Sequence, residues 1–360
     1  MKPHLLLAGQ GGGSWGCFPV GALLEYFEQN QPAYDGGFGV SVSALILSRL
    51  MASDNGTIPP LDVQRENARR LGQIFSSLSG NEAIYTPWSA SKLSSWLLKG
   101  PISLMPIPRE AKQAIIALLE KKPSVYDTRP LMELVKRELA GKKWHPSVCV
   151  GVVHLETGVF EEISLGNNAN WAETIVASTA IPIAFPPVAA LVDGGVMDIT
   201  PLKGVFNRFR ELRAAEPGRP QELHVYRCSP FPDHRQTGKR YATLPVVTSR
   251  TLDIMLDHTD EEDFSNALFY NRLADLTARV MSCSDPVLIK EFAALHEKYG
   301  KVAIYVISPT REDVLAMPEN SRSFDPARMR GGMLRGQAAM KSFLMNKESY
   351  RLERLVETKT

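Results

Sequence analysis

The chain has 360 residues, of which 44% are hydrophobic and 22% are charged, as is typical of a globular protein. Its formal net charge of +2 excludes the large basic face of a nucleic-acid binder, so we expect no nucleic-acid partner. Four scattered cysteines without Cys-x-x-Cys spacing argue against a disulfide framework or zinc site, and we expect no metal or other cofactor. The apolar run at residues 5–8 is too short for a signal-peptide core, so we expect no signal peptide, and no apolar run reaches the roughly 18 residues of a membrane span. We therefore expect a cytoplasmic protein that contacts membranes only peripherally.

The first fifty residues alternate between strand and helix. Apolar strands are predicted at residues 4–8 and 37–40, and helices at 20–29 and 42–51, with a glycine-rich loop at 9–16. This alternation is typical of a mainly parallel sheet with helices on its faces, which is an α/β fold.

A mostly helical stretch follows, with a loop at residues 52–60 and predicted helices at 61–78, 89–99, 109–121 and 128–140. The apolar run 96–108 is broken by prolines, so it fits either a lid at the surface or a buried irregular connection. Fourteen Lys and Arg stand against eight Asp and Glu between residues 56 and 145. If the basic residues shared one face, they would attract anionic lipid, but solvated helix faces are the favoured explanation.

Strands return at residues 147–155 and 159–165, which a turn joins into a hairpin, and again at 188–192, 222–228 and 302–307. Helices are predicted at 171–179, at 202–215 and over most of the chain after residue 252. We predict one domain over residues 1–360. Its core spans about 3–230 with a helical insertion at about 52–145, and a mostly helical extension at 231–360 packs on that core.

The first candidate site residue is Ser41, in the run Gly-Val-Ser-Val-Ser at residues 39–43 between a strand and a helix. This is the setting of a nucleophile elbow, a strained turn that exposes a serine hydroxyl above a sheet edge. Small residues are needed two places before and after the serine, and here they are Gly39 and Ser43. Taken alone the run fits an ordinary turn equally well. Ser43 is the competing nucleophile, but it would fall within the first turn of the helix.

The second candidate is the glycine loop, with Gly11, Gly12, Gly13 and Gly16 between the first strand and the first helix. A phosphate-binding loop is one interpretation, but no Gly-Lys-Ser/Thr and no acidic residue about 20 positions later support it. The other is an oxyanion hole, in which one backbone N–H is typically worth about 3 kcal/mol. Parallel strands place this loop and Ser41 at the same sheet edge, which favours the oxyanion hole.

The third candidate is Asp193, followed by Gly194 and Gly195 directly after the strand 188–192. A carboxylate at the end of a strand is expected at the same edge as Ser41 and could accept its proton. A simple Asp-Gly turn is the alternative. Asp35 precedes Ser41 by six residues along an extended strand, which puts it roughly 20 Å away at about 3.3 Å per residue. We therefore predict that Asp193 is the base and that Asp35 is a turn residue.

Taken together, these residues resemble the patatin-like phospholipase family. The most specific match is Ala-Ser-Thr-Ala-Ile-Pro at residues 177–182, followed by Phe-Pro-Pro at 185–187 and then by the Asp193 turn. The resemblance covers roughly residues 3–204. It implies a three-layer α/β/α fold with a nucleophile elbow and hydrolysis of phospholipids, lysophospholipids or neutral acyl lipids, taken from a lipid or membrane surface.

The resemblance also implies roles for individual residues. Ser41 would carry the acyl group and Asp193 would be its base, in a dyad without a catalytic histidine. The backbone of Gly11, Gly12 and Gly13 would hold the oxyanion. The other motif residues would support these turns; they are Gly16, Gly39, Ser43, Gly194 and Gly195.

The chain departs from the family at three places. Trp15 stands where Arg or Lys is general, Ser43 replaces the second elbow glycine, and Asp-Ile-Thr at residues 198–200 stands where asparagines are common. None of these changes removes a catalytic atom. The departure at residues 198–200 leaves open whether this segment supports the Asp193 turn as the family pattern does.

Three alternatives remain open from the sequence. The first is a Ser-His-Asp hydrolase that uses His224, His234, His258 or His296. The second is a catalytically silent lipid-binding or scaffold protein on the same fold. The third is an effector whose hydrolase activity is switched on by an unknown partner, with the C-terminal helices as the control element.

Overall fold

The computed structural model describes residues 1–88, 114, 117–118, 121–230 and 244–357, with the backbone alone for residues 244–259. The predicted helix 89–99, the apolar run 96–108 and most of the predicted helix 109–121 lie outside the described residues. His234 and the side chain of His258 also lie outside them.

The described residues form nine strands. In chain order they are β1 (His4–Gly9), β2 (Gly36–Val40), β3 (Thr86–Pro87), β4 (Tyr126–Asp127), β5 (Val148–His154), β6 (Phe160–Ser164), β7 (Leu191–Asp193), β8 (Gln221–Tyr226) and β9 (Ala303–Ile307). β3 and β4 make a small antiparallel pair, and the other seven form one central sheet.

Eleven helices surround this sheet in the part of the chain that the structure describes. They are α1 (Cys17–Glu28), α2 (Val42–Leu50), α3 (Leu61–Ser77), α4 (Arg129–Glu138), α5 (Trp171–Ala177), α6 (Leu202–Ala215), α7 (Leu244–Met281), α8 (Pro286–Lys298), α9 (Arg311–Val314), α10 (Pro326–Met345) and α11 (Leu352–Glu357). None of them, within those residues, combines the length and the hydropathy needed to cross a bilayer.

The sheet is mainly parallel, with the strand order β6-β5-β2-β1-β8-β9. β1, β2, β5, β8 and β9 run in one direction. β6 is antiparallel to β5, which confirms the predicted hairpin. β7 also pairs with β5, in antiparallel register. The predicted α/β class with a mainly parallel sheet is therefore confirmed.

The predicted strand 188–192 is wrong in its bounds. The chain forms only an isolated bridge between Val188 and Leu191, and β7 begins at Leu191. The reason is the backbone between them, where Ala189 and Ala190 have φ of 49° and 60° and turn the chain sharply. The strand is consequently three residues long and ends at Asp193.

The side chains of β1 are buried alternately on the two faces of the sheet, which explains why the fold has three layers. Leu5 and Leu7 are buried in one apolar cluster, with α1, α2, α3 and α10, whereas Leu6 and Ala8 are buried in another, with α6. Successive side chains of a strand point to opposite faces of the sheet, so a fully buried strand needs a helical layer on each face. The predicted three-layer α/β/α arrangement is confirmed.

The first helix begins earlier than its apolar spacing predicts. α1 starts at Cys17, three residues before the predicted start, and includes Pro19 in its first turn. Proline is tolerated there because the first N–H groups of a helix have no intrahelical partner. The early start brings the helix directly against the end of the glycine loop.

Candidate active site

Ser41 occupies a strained turn between β2 and α2. Its φ is 57° and its ψ is −127°, values that a residue with a side chain rarely adopts. The turn is tight because Gly39 lies against the first turn of α2. A Cβ at Gly39 would stand 2.5 Å from the carbonyl oxygen of Ser43. This is the geometry expected of a nucleophile elbow.

The substitution at Ser43 is accommodated by a glycine in the neighbouring strand. A Cβ at Gly9 would stand 2.5 Å from the Cβ of Ser43, so the absence of a side chain at Gly9 makes room for the serine. The Ser43 hydroxyl donates a hydrogen bond to the Gln10 carbonyl at 2.7 Å. Ser43 is thus buried and hydrogen-bonded away from Ser41.

The backbone of the elbow is held by Ser178. The Ser41 N–H donates to Ser178 Oγ at 3.0 Å, and that hydroxyl donates in turn to the Gly151 carbonyl at 2.7 Å. All these atoms are buried, so an unpaired N–H here would cost free energy. The sequence marked Ser178 as part of a motif but gave it no role.

Ser41 and Asp193 meet because two strands approach each other end to end along β5. β2 ends with Val40 opposite Gly151, and β7 ends with Asp193 opposite Val152, on the side of β5 that does not face β6. The strands run in opposite directions, so their carboxyl-terminal ends face one another. The expectation that Asp193 reaches this edge is met, but through an antiparallel strand rather than a parallel one.

Asp193 is a buried carboxyl group whose pKa lies close to neutrality. Burial raises the pKa of Asp193 to about 7, while hydrogen bonds from the Gly195 N–H and the Ser41 side chain partly offset the rise. The Gly195 N–H donates to Asp193 Oδ1 at 2.8 Å. Ser41 and Asp193 are only 6% and 5% exposed.

The three loop glycines do not have equivalent N–H groups. The Gly11 N–H donates to the Ile199 carbonyl at 3.0 Å, so it is already occupied, contrary to the expectation that all three would be free. In the described part of the chain, the N–H groups of Gly12 and Gly13 donate to no acceptor, and neither does that of Val42 at the start of α2. The loop lies close to the nucleophile, since a Cβ at Gly11 would stand 3.1 Å from the Cβ of Ser41.

The remaining motif glycines allow close packing around the dyad. A Cβ at Gly16 would stand 2.5 Å from Val42 Cγ2, and one at Gly194 would stand 2.6 Å from the Gly151 carbonyl oxygen. The Asp198 N–H donates to the Gly194 carbonyl, which closes the turn after Asp193. The segment that departs from the family pattern therefore does close this turn.

Two buried polar contacts join that segment to α7. The Thr200 hydroxyl donates to Asp260 Oδ1 at 2.7 Å. Asp198 forms a carboxyl–carboxylate hydrogen bond with Asp263. Burial and the neighbouring carboxylates of Asp198 and Asp260 raise the pKa of Asp263, so Asp263 holds the shared proton.

An apolar cavity of about 100 Å³ lies beside Ser41, which is one of the residues that line it. It follows one face of α2, where Leu45 and Ser48 line it after Ser41. Seven residues of helix correspond to about 10 Å, so the cavity is a slot rather than a bowl. Its other walls include Ile74, Phe75, Leu131, Ile181, Phe185 and Phe324.

No described histidine side chain joins this arrangement. His224 is buried, and its ring nitrogens are engaged by the Tyr34 hydroxyl at 2.9 Å and by Glu222 at 2.7 Å. Among the hydrogen bonds of the described residues, none joins a histidine to Ser41 or Asp193. The same residues contain no group of three or more His, Cys, Asp or Glu arranged to hold a metal ion.

Comparisons with known proteins add little to this geometry. No protein-family model matches the chain, and no curated protein matches it. Among solved structures, VipD from Legionella pneumophila is similar with a TM-score of 0.32 and 13% sequence identity. The match covers 95% of this chain and 67% of that one. At so low a TM-score, the fold and the site rest on the structure described above.

Proposed function

We propose that the protein is a serine acyl hydrolase that cleaves lipid-like esters with Ser41 as nucleophile and Asp193 as base. The observation that carries this proposal is that Ser41 lines an apolar slot and lies at the end of β2, where the buried Asp193 also ends its strand. A strained serine beside a carboxyl group of near-neutral pKa has the features of an activated nucleophile. The apolar slot beside it suits an acyl chain.

In the acylation step, Ser41 Oγ attacks the ester carbonyl carbon and passes its proton to the Asp193 carboxylate. The negative charge moves to the carbonyl oxygen. The free N–H groups of Gly12 and Gly13 are the donors proposed for it, supported by Val42 at the positive end of α2. The tetrahedral intermediate then collapses, and the leaving alcohol takes the proton from Asp193.

Deacylation repeats the sequence with water as nucleophile. The water oxygen attacks the carbonyl carbon of acyl-Ser41, and the ionised Asp193 carboxylate takes a proton from that water. Collapse of the second intermediate breaks the ester bond to Ser41, returns the proton to Ser41 Oγ and releases a fatty acid. One carboxylate with a pKa of about 7 serves in both steps because it gains and loses its proton readily near neutral pH.

Labelling with a fluorophosphonate tests the nucleophile. We expect mass spectrometry of digested protein to find the tag on Ser41 and not on Ser43. Asp193→Asn should slow labelling at least about a hundredfold because the base is lost. The matched control is Asp35→Asn, at the other Asp-Gly-Gly turn, whose carboxylate accepts the Leu5 N–H at 2.9 Å on the far side of the sheet. It should label like the wild type.

Release of free fatty acid tests the substrate class. Wild-type protein incubated with monoacylglycerols, lysophospholipids and phospholipid vesicles should release fatty acid, and Ser41→Ala should release none. Absence of both labelling and release would contradict the proposal and would favour a catalytically silent lipid-binding protein on the same fold. We further propose that the substrate is taken from a lipid surface by peripheral contact.

A further inference from the structure

A segment of the C-terminal region crosses the glycine loop. Residues 318–324, which we call the strap, lie between α9 and α10. The Trp15 indole N–H donates to the Pro318 carbonyl at 2.8 Å. The Ser14 hydroxyl and N–H donate to the carbonyls of Asn320 and Ser321 at 3.0 and 2.8 Å. Trp15, which stands where the family has Arg or Lys, thus anchors the strap.

The strap is also held on its other side, by the turn before β3. The Tyr85 hydroxyl donates to the Arg322 carbonyl at 2.6 Å, and Asn81 Oδ1 accepts the Phe324 N–H at 2.8 Å. Phe324 is buried and lines the slot beside Ser41. The backbone of the strap is consequently held on both sides, and three of its residues line the slot: Ser321, Arg322 and Phe324.

Arg322 of the strap lines the slot together with Ser41 and Gly13. Its side chain is exposed, and within the described residues its guanidinium takes part in no hydrogen bond or ion pair. The nearby Arg328 is different, because it donates to the carbonyls of Leu315 and Met317 and pairs with Glu319. Arg322 therefore carries a positive charge without a partner among the described residues, next to a slot whose walls are mainly apolar.

The other arginine of the slot is less suited to meet a ligand. Arg49 lies eight residues along α2 from Ser41, about 12 Å away at 1.5 Å per residue. Its guanidinium donates to Asn67 Oδ1, although its Nε is buried without a partner among the described residues. Burial lowers the pKa of Arg49, and the nearby Glu138 carboxylate partly offsets this fall. With the ester at Ser41, only the acyl chain of a substrate would extend along α2 as far as Arg49. Arg322 belongs to the strap, which contacts the glycine loop that contains Gly13.

We infer that Arg322 selects acyl esters whose alcohol carries a phosphate. This inference rests on the proposed hydrolase function. With the acyl chain in the slot and the ester at Ser41, the alcohol portion faces the strap. A guanidinium has the planar fork that binds phosphate through two parallel hydrogen bonds, and a charge-assisted pair of this kind discriminates strongly against an uncharged alcohol.

The test compares two monomeric substrates that differ only in the phosphate, 1-lauroylglycerol and 1-lauroylglycerol 3-phosphate. For wild-type protein we expect a higher kcat/KM with the phosphate. Arg322→Gln should lower kcat/KM about 10- to 100-fold for the phosphate substrate and leave 1-lauroylglycerol within about twofold. Arg322→Lys should fall between the two, because it keeps the charge and loses the fork.

The matched control is Arg330→Gln, which removes the same charge from an exposed position on α10 outside the slot. It should leave both substrates unchanged. Equal losses on both substrates with Arg322→Gln, or no loss on either, would overturn the inference while hydrolysis of 1-lauroylglycerol by the wild type still supported the proposed function. Thermal unfolding of each variant verifies folding, which the exposed position of Arg322 should preserve.

Discussion

At the scale of single residues, the chemistry depends on how Asp193 is solvated. Burial raises its pKa to about 7, and the groups that oppose this rise are neutral ones, the Gly195 N–H and the Ser41 side chain. A charged partner would have held the pKa low and made a weaker base. The strained φ of Ser41 and the hydrogen bond from its N–H to Ser178 define the backbone of the turn that carries the hydroxyl.

The pH dependence of catalysis follows from this pKa. Because Asp193 must be ionised to accept a proton, kcat/KM should rise as pH increases through about 7 and fall tenfold per pH unit well below it. Initial rates with a soluble ester between pH 5 and 9 provide the measurement. A rate independent of pH over this range would contradict the assignment.

A variant of Asp263 distinguishes titration of Asp193 from titration of the nearby Asp198–Asp263 pair. Asp263 carries the shared proton of its pair with Asp198, so Asp263→Asn keeps a hydrogen-bond donor in its place. In this variant kcat/KM should still rise as pH increases through about 7. If that rise disappeared, the group that titrates would be the Asp198–Asp263 pair and not Asp193.

Ser178 gives a second prediction at this scale. Ser178→Ala removes the acceptor of the Ser41 N–H and the donor to the Gly151 carbonyl, and leaves both groups buried without these partners. We expect a loss of about 1–3 kcal/mol in the free energy of unfolding and a fall in kcat with little change in KM. Urea unfolding and steady-state kinetics measure the two. Unchanged kcat would show that the elbow does not depend on this bond.

At the scale of elements, α2 serves the site in two ways. Its first turn presents the free Val42 N–H beside the nucleophile, and its length forms one wall of the slot. β7 is equally important although it has only three residues, because it brings Asp193 to the end of β2. Neither α2 nor β7 is unusual by itself. Their positions at the site come from the turn that joins β2 to α2 and from the pairing of β7 with β5.

Leu45 tests the role of α2 as the wall of an acyl slot. Leu45→Phe should narrow the slot one turn beyond Ser41. We expect kcat/KM to fall at least about tenfold for lauroyl esters and to change little for acetyl esters, which end before this position. The control is Leu334→Phe, an exposed leucine of α10, 65% accessible, that does not line the slot. Equal effects on both chain lengths would contradict this assignment.

At the scale of the whole molecule, the C-terminal residues are joined to the site by several independent contacts. β9 extends the central sheet beside β8. Arg227, which follows β8, is 1% exposed and forms an ion pair with Asp260 of α7, itself 2% exposed. The same Asp260 accepts the Thr200 hydroxyl next to the Asp193 turn. A substitution in α7 that removes Asp260 should therefore also affect the turn that follows Asp193.

Asp260→Ala tests this connection. It leaves the Arg227 charge buried without this partner, which typically costs about 3–5 kcal/mol in the free energy of unfolding. Asp275→Ala is the control on the same helix, because Asp275 pairs with Lys301 at the surface, where such pairs contribute no more than about 1 kcal/mol. Urea unfolding of both variants is the measurement. Similar stability losses would contradict a special role for the buried pair.

The sequence alone was sufficient for the fold class and for the hairpin of β5 and β6, and it singled out Ser41 and Asp193 as candidate residues. These follow from local signals: apolar periodicity, glycine at crowded turns, and a serine between a strand and a helix. The same signals could not predict the occupied N–H of Gly11, the part that Gly9 plays in accommodating Ser43, or the role of Ser178. Each of those depends on a partner far along the chain.

Ser41 and Asp193 also show what can be inferred from local sequence and what depends on the tertiary structure. The sequence indicates which side chains are candidates for the proposed chemistry, since an elbow serine and a carboxylate after a strand can be recognised from their neighbours. Only the tertiary structure decides that β7 runs antiparallel to β5, that burial raises the pKa of Asp193 to about 7, and that Arg322 lies at the slot from a segment near the C-terminus. The physical reason is that register, desolvation and unpaired charge arise between segments that are distant in the chain, where local sequence patterns carry no signal.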